Sequence, residues 1–238
     1  MGLEPVSARG RLVDQQDAHE FLRCFIEALM ACSKKHLAHS NSASSPDGAS
    51  LSVESIFDIG VRTSIRCSRC KTVSGRAESI LDVSLAIANE PAGTSIVSLL
   101  DRVAETEVLQ GENAYACDNC AAKVHATKTT DFVRMPRIFV LHLKRFDNSG
   151  AKIDAGVVFP ETLAFKKRLH YDLRAIVVHY GRTCRSGHYT VFVRKGAVLH
   201  EDDTKSTWEE ISDDVVSDAP WSRVQAQEPY LLLYERRT

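Results

Sequence analysis

Arg185-Ser-Gly-His-Tyr-Thr-Val-Phe-Val-Arg194 sets a histidine directly after a glycine, in a turn that feeds an alternating strand. A glycine before a histidine lets another stretch of backbone come close to the imidazole. The strand that follows fixes where the ring points. Histidine is also the side chain whose unperturbed pKa suits it to general-base work near neutral pH. Most histidines in a globular protein do nothing catalytic, so the weight of His188 depends on the residues around it.

Working outward from this strand, several runs have the same β texture: Arg137-Ile-Phe-Val-Leu-His-Leu-Lys-Arg-Phe146, Leu173-Arg-Ala-Ile-Val-Val-His-Tyr180 and Tyr230-Leu-Leu-Leu-Tyr234. They are apolar on both faces, as central strands covered on two sides should be. Leu81, Val83, Leu85 and Ile87 alternate with polar or small residues and read as a half-buried strand. Ile96, Leu99, Leu100 and Val103 share one face of a short helix over about Ser95 to Val103. At the other end of the chain, Asp14 to about Leu37 reads as an amphipathic helix. Ala18, Phe21, Leu22, Phe25, Ile26, Leu29 and Met30 recur at helical spacing along one stripe. Asp14, with Asp17 three residues on, is the expected N-cap arrangement. His39-Ser-Asn-Ser-Ala-Ser-Ser-Pro-Asp-Gly48 is too polar to bury apolar surface and reads as a mobile linker. No internal repeat or heptad pattern is visible. The pattern predicts an α+β chain: one helix first, then mostly antiparallel sheet.

The chain has 238 residues, enough for one sizeable core or one domain with lobes. A formal net charge of -1 gives no basic field for nucleic acid and no acidic tail. The longest apolar runs are too short to span a bilayer. The N-terminus lacks a basic-then-apolar signal, so the reading is an intracellular protein, of cytoplasm and/or nucleus, with no membrane or nucleic-acid partner. Seven cysteines is an odd count, and four of them form two Cys-x-x-Cys pairs. Cys67-Ser-Arg-Cys70 and Cys117-Asp-Asn-Cys120 are two tight knuckles, each able to offer two thiolates to one ion. Together they predict a closed, tetrahedral, structural zinc site that clips two distant hairpin tips together.

Taken together, the motifs resemble those of the ubiquitin-specific proteases, the thiol deubiquitinases with thumb, palm and fingers. Gln15-Gln-Asp-Ala-His-Glu-Phe21 is similar to the family's glutamine box. Glu107-Val-Leu-Gln-Gly-Glu-Asn-Ala-Tyr-Ala-Cys117, Leu141-His-Leu-Lys-Arg-Phe146, Ser186-Gly-His-Tyr189 and Tyr230-Leu-Leu-Leu-Tyr-Glu235 follow in the family's order, with the knuckles in the fingers position. The resemblance implies a papain-like fold: a remnant thumb over 1–37, a Ser-rich linker over 38–54, zinc-binding fingers over 55–130 and a palm over 131–238. It implies His188 as the general base of a Cys-His-Asn/Asp triad. The residue that orients the ring should follow Trp208. The family usually has Asn or Asp where this chain has Ser212, with Asp213 next, and both stay open. A serine hydroxyl can accept the imidazole N–H, but it adds no charge to stabilise an imidazolium. Gln16, Asp17 and Glu20 match positions facing ubiquitin's arginine-rich tail, although acids in a first turn also serve the helix dipole. Gly187 resembles the residue that lets the tail's Gly-Gly slide past.

In that family the nucleophilic cysteine opens a helix well before the glutamine box, and none of the fourteen residues before Gln15 is a cysteine. Cys24 falls on the polar side of the first helix and Cys32 on its apolar stripe, a core position. Cys184, four residues before His188, reads as a loop cysteine without a role, because a nucleophile needs a base within reach and oxyanion donors beside it. The expectation is that this polypeptide alone cannot carry out covalent catalysis. Two readings follow. One is a thiol-dependent ubiquitin hydrolase, cleaving after the ubiquitin C-terminal Gly-Gly, with its cysteine segment outside this chain. The other is a non-catalytic pseudoenzyme that binds ubiquitin or ubiquitinated proteins. A zinc-ribbon nucleic-acid binder fits the knuckles but not the charge. The uncovered stripe from Ala18 to Met30 predicts a poorly soluble chain, or one paired with a partner that covers the helix.

Overall fold

The computed structural model describes residues 16–39, 52–166, 169–196 and 208–237. Asp14, Gln15 and most of the Ser-rich segment lie outside the described residues. Helix α1 spans Ala18–His39 and the short α2 spans Val53–Phe57. Asp17 is the N-cap: its Oδ1 accepts from the amides of His19 at 2.7 Å and Glu20 at 3.1 Å. The stripe of α1 divides. Ile26 is buried and Leu22 and Met30 are partly covered, while Phe21 and Phe25 remain 63% and 50% exposed, with their rings stacked. Cys32, expected in the core, is exposed. It falls on the side of Phe25 and Leu29, and the apolar stripe is wider than the surface that covers it.

Strands β1 (Ile59–Cys67) and β2 (Val73–Ile80) form a long hairpin. Next come β3 (Val83–Ala86), β4 (Thr94–Ser95) and α3 (Ile96–Val103), with Ser95 capping the helix through its hydroxyl. Ile96, Leu99 and Leu100 are buried on the face that the spacing indicated. Then follow β5 (Glu107–Leu109), β6 (Tyr115–Cys117), β7 (Ala122–Val124) and β8 (Ala126–Arg134). One sheet runs in the order β2-β1-β8-β5, with the β6-β7 hairpin beside its tip. These are the fingers.

The remaining strands are β9 (Ile138–Lys144), β10 (Val157–Val158), β11 (Thr162–Phe165), β12 (Leu169–Thr183), β13 (Ser186–Arg194), β14 (Trp208–Ser212), β15 (Val215–Ala219) and β16 (Pro229–Arg236), with α4 at Trp221–Gln225. The palm sheet runs β15-β14-β13-β12-β16-β9-β3, with β11 on β12. Its pairs are antiparallel except β3 on β9, which is parallel. Residues 83–86 therefore lie between finger strands in sequence but belong to the palm. Phe139, Leu141, Leu143, Leu232, Tyr234 and Phe192 sit in one buried cluster with Trp208 and the apolar face of α3. Each such side chain contributes about 1.5–3 kcal/mol of burial free energy.

Two polar devices hold this core to its surroundings. Arg145, only 1% exposed, donates from Nε to the Pro229 carbonyl at 2.6 Å and from Nη1 to the Ala155 carbonyl at 3.0 Å. It pins the start of β16 with no carboxylate bonded to it among the described residues, and burial lowers its pKa. On the other side of β9, α1 is clasped to the sheet. His19 Nε2 lies 3.0 Å from Asp82 Oδ2, Arg23 Nε lies 3.8 Å from Asp82 Oδ1, and the His19 ring stacks on His142 at 3.9 Å. Ser84 Oγ sits 2.9 Å from His142 Nδ1.

Replacing Arg145 by Ala should cost about 3 kcal/mol or more of unfolding free energy, from lost packing and orphaned carbonyls, read from urea melts. His142 supplies a pH test. Burial first, and then the neighbouring His19, hold its imidazole down at about 4, against an ordinary value of 6.5. Because the folded value is the lower one, this contribution is complete above pH 6.5 and is lost as pH falls from there towards 4. A His142→Gln chain should lose stability less steeply across that window, by up to about 1.4 kcal/mol per pH unit.

Candidate active site

His188 lies on β13 opposite Tyr180 of β12, one residue beyond the glycine that begins the strand's exposed edge. Its Nε2 is 2.7 Å from Ser212 Oγ. The register explains the meeting. Val191 pairs with Ile211, and continuing that register places Ser212 beside Thr190, on the face that also carries His188. Asp213 begins the two-residue turn between β14 and β15, is exposed, and takes a left-handed φ of 52°. Among the described residues it makes no hydrogen bond to the ring. The structure therefore brings Ser212 to His188 and leaves Asp213 in the turn. The other ring nitrogen, Nδ1, makes no hydrogen bond among the described residues, so it is free to face a reacting group.

The start of α1 sits beside this strand. Tyr189, one residue after His188, has its ring 6.0 Å from that of Tyr230. Tyr230, at the start of β16, donates its hydroxyl to Asp17 Oδ2 at 2.6 Å. Burial alone would raise the Asp17 pKa, but the Tyr230 hydroxyl and the Glu20 and His19 amides outweigh it and leave the carboxyl lowered. Burial pushes the Tyr189 hydroxyl up to about 12 and the Tyr230 hydroxyl higher still, so both stay protonated. Glu20 and Gln16 are exposed on the same end of the helix, and Glu20 forms no ion pair among the described residues.

Gly187 needs its missing side chain for a local reason. A Cβ there would lie 2.4 Å from His179 Nε2 and 2.5 Å from the Tyr180 carbonyl oxygen. His179, 1% exposed, therefore packs directly beneath the backbone that carries His188. Burial lowers the His179 pKa, with Lys152 adding to the effect. The sequence reading passed over His179 and Tyr230. Both lie in strands read for their apolar faces, that of Tyr230 also as a family motif without a role for the tyrosine, and the available signal is a polar or hydroxyl group inside an otherwise aliphatic run.

At the tip of the fingers, Cys67 Sγ is 3.8 Å from Cys120 Sγ and Cys70 Sγ is 3.7 Å from Cys117 Sγ. These contacts are far longer than a disulfide. Each knuckle ends in a left-handed residue, Lys71 at φ 64° and Ala121 at φ 48°, whose amides close the turns on the carbonyls of Cys67 and Asp118. The quartet could hold a metal ion. His19, Asp82 and His142 also come within 4.8 Å of one another. Their rings, however, are within 16° of parallel at 3.9 Å, and two stacked rings cannot both aim in-plane lone pairs at one ion. This second group is a polar clasp, with Arg23 as the cation beside Asp82. Of the other thiols, Cys24 is exposed, and Cys184 sits in the β12–β13 turn, its sulfur so near Gly150 that a Cβ there would meet it at 2.8 Å.

Comparisons with known proteins agree with this arrangement. A family model described as ubiquitin carboxyl-terminal hydrolase matches residues 7–234. The probable ubiquitin carboxyl-terminal hydrolase 16 of Schizosaccharomyces pombe is 30% identical over 246 residues, covering 99% of this chain and 50% of that protein. The Homo sapiens ubiquitin carboxyl-terminal hydrolase 42 is 32% identical over 235 residues, covering 95% of this chain and 17% of that protein. Among solved structures, the SAGA Ubp8/Sgf11/Sus1/Sgf73 DUB module bound to ubiquitin aldehyde superposes with a TM-score of 0.72 at 25% identity, over 94% of this chain and 50% of that one. The same module described without ubiquitin gives 0.72 at 26% identity, over 94% and 49%. The chain thus spans half or less of the length of these relatives. With a family model covering nearly all of its residues and the papain-like α+β fold in place, the chain belongs to the ubiquitin carboxyl-terminal hydrolase family of deubiquitinases.

Proposed function

We propose that the whole protein is a thiol-dependent ubiquitin hydrolase that cleaves after ubiquitin's C-terminal Gly-Gly, with this chain supplying the base and the tail-binding surface. The observation that carries the proposal is the His188–Ser212 contact at 2.7 Å, beside the capped start of α1. Ser212 accepts the Nε2 proton and holds the ring in one tautomer. The unprotonated Nδ1 is then the atom that takes a proton from a thiol delivered to its side. Without a carboxylate beyond the ring, the imidazolium formed in that step is stabilised less than in an Asp-containing triad. Gln16, Asp17 and Glu20 lie where a basic tail would run, and the anionic Asp17 is the recognition element among them. Gly187 keeps the hairpin edge thin beside the tail.

The ion in the sulfur quartet is zinc in this reading. Four thiolates arranged tetrahedrally at bonds of about 2.3 Å sit about 3.8 Å apart, against the 3.7 and 3.8 Å found here. Zinc supplies no chemistry in such a closed site; it crosslinks β1–β2 to β6–β7 and makes the fingers rigid.

Three outcomes test this reading. The chain should bind ubiquitin, and removing ubiquitin's last residues should weaken that binding. Joined to the cysteine-bearing segment of a relative, the chain should release a fluorophore from the ubiquitin C-terminus. That turnover should vanish in His188→Ala and fall on the order of a hundredfold in Ser212→Ala. Turnover that survives His188→Ala sinks the assignment, and tail-dependent binding without any turnover leaves the pseudoenzyme. Metal analysis should give about one zinc per chain, and none in Cys117→Ser, with the fingers losing amide-exchange protection while the palm keeps it.

A further inference from the structure

We infer that Tyr230 is the positioning residue that presents Asp17 to the ubiquitin tail, and so determines how strongly the tail is read. The inference rests on the function proposed above and deepens it. Asp17 and Tyr230 are 213 residues apart, yet the hydroxyl donates to Asp17 Oδ2 at 2.6 Å. The other carboxylate oxygen is occupied by the two first-turn amides of α1. The carboxylate is therefore held from both sides before any ligand arrives, with an open lone pair left on Oδ2. An anion held in this way meets a cationic side chain without paying to order itself.

Tyr230 is itself fixed on every side. It is only 3% exposed. Its ring packs edge-on against His142 at 4.9 Å and Phe146 at 5.9 Å, and lies 6.0 Å from Tyr189. Arg145 clamps the carbonyl of the preceding residue, Pro229. The neighbouring Tyr189 ring belongs to the strand that bears His188, so Tyr230 sits at the junction between that strand and the helix start. A core tyrosine could satisfy its hydroxyl on a backbone carbonyl, as Tyr171 and Tyr234 do here. Tyr230 instead spends it on an acid at the rim of the site.

Tyr230→Phe keeps the ring and its packing and removes only the hydroxyl. Binding of intact ubiquitin to the 238-residue chain should weaken roughly tenfold. Binding of ubiquitin lacking its C-terminal tail should stay unchanged. In the same variant the Asp17 carboxyl should titrate at higher pH, followed by carbon-detected NMR of the free chain. Asp17→Asn, which keeps a good N-cap, should give the same loss of tail dependence, and adding Tyr230→Phe to it should cost nothing more. Tail-dependent binding that is unchanged in Tyr230→Phe overturns the inference alone. A wild-type chain indifferent to the tail overturns the proposed function and this inference together. Equal losses for intact and truncated ubiquitin would make Tyr230 a residue of general stability and likewise overturn the inference.

Discussion

A single antiparallel register governs the site. With Tyr180 opposite His188 and Val191 opposite Ile211, the ring and the Ser212 hydroxyl fall on one face of the palm, one diagonal step apart. A slip of one residue between β13 and β14 would turn Ser212 to the other face and bring an exposed turn residue towards the ring instead. The register is fixed by what lies beneath it. Trp208 is buried in the common core, so a slip of β14 would expose its large ring at a cost of about 3 kcal/mol. The choice between Ser212 and Asp213 is thus made by core packing four residues away, not by the acid–base chemistry of either side chain.

The same logic applies where the chain meets itself over long distances. β16 brings Tyr230 to Asp17, β9 brings His142 under His19, and the loop before β3 brings Asp82 to both His19 and Arg23. These contacts tie α1 to the palm by polar groups at its first turn, although half of its apolar stripe is uncovered. The fingers use a different solution. β1 and β8 reach the common core at one end through Ile59, Val61 and Phe132, while β2 is exposed almost throughout and the cysteine quartet lies at the far tip.

Much of this was readable before any coordinates. Ile96, Leu99 and Leu100 pointed inward as their spacing required, with Ser95 at the cap, and Val83, Leu85 and Ile87 are buried in alternation. These elements are short and each buries a single face, so local pattern decided them. Where pattern misled, a tertiary surface was of the wrong width or in another place. Cys32 lies beyond the covered strip of α1, and β3 pairs in parallel with a strand more than fifty residues later.

The amino-acid sequence by itself determined the family-level motifs and their order, the two cysteine knuckles, and the glycine before His188, because each is a matter of residue type at short spacing. Only the tertiary structure decided which hydroxyl meets the imidazole, which tyrosine holds the acid of the glutamine box, and why position 187 must be glycine. Those answers depend on residues brought together from 8 to 213 positions apart. No spacing along the chain records such distances; strand register and the packing of buried rings do.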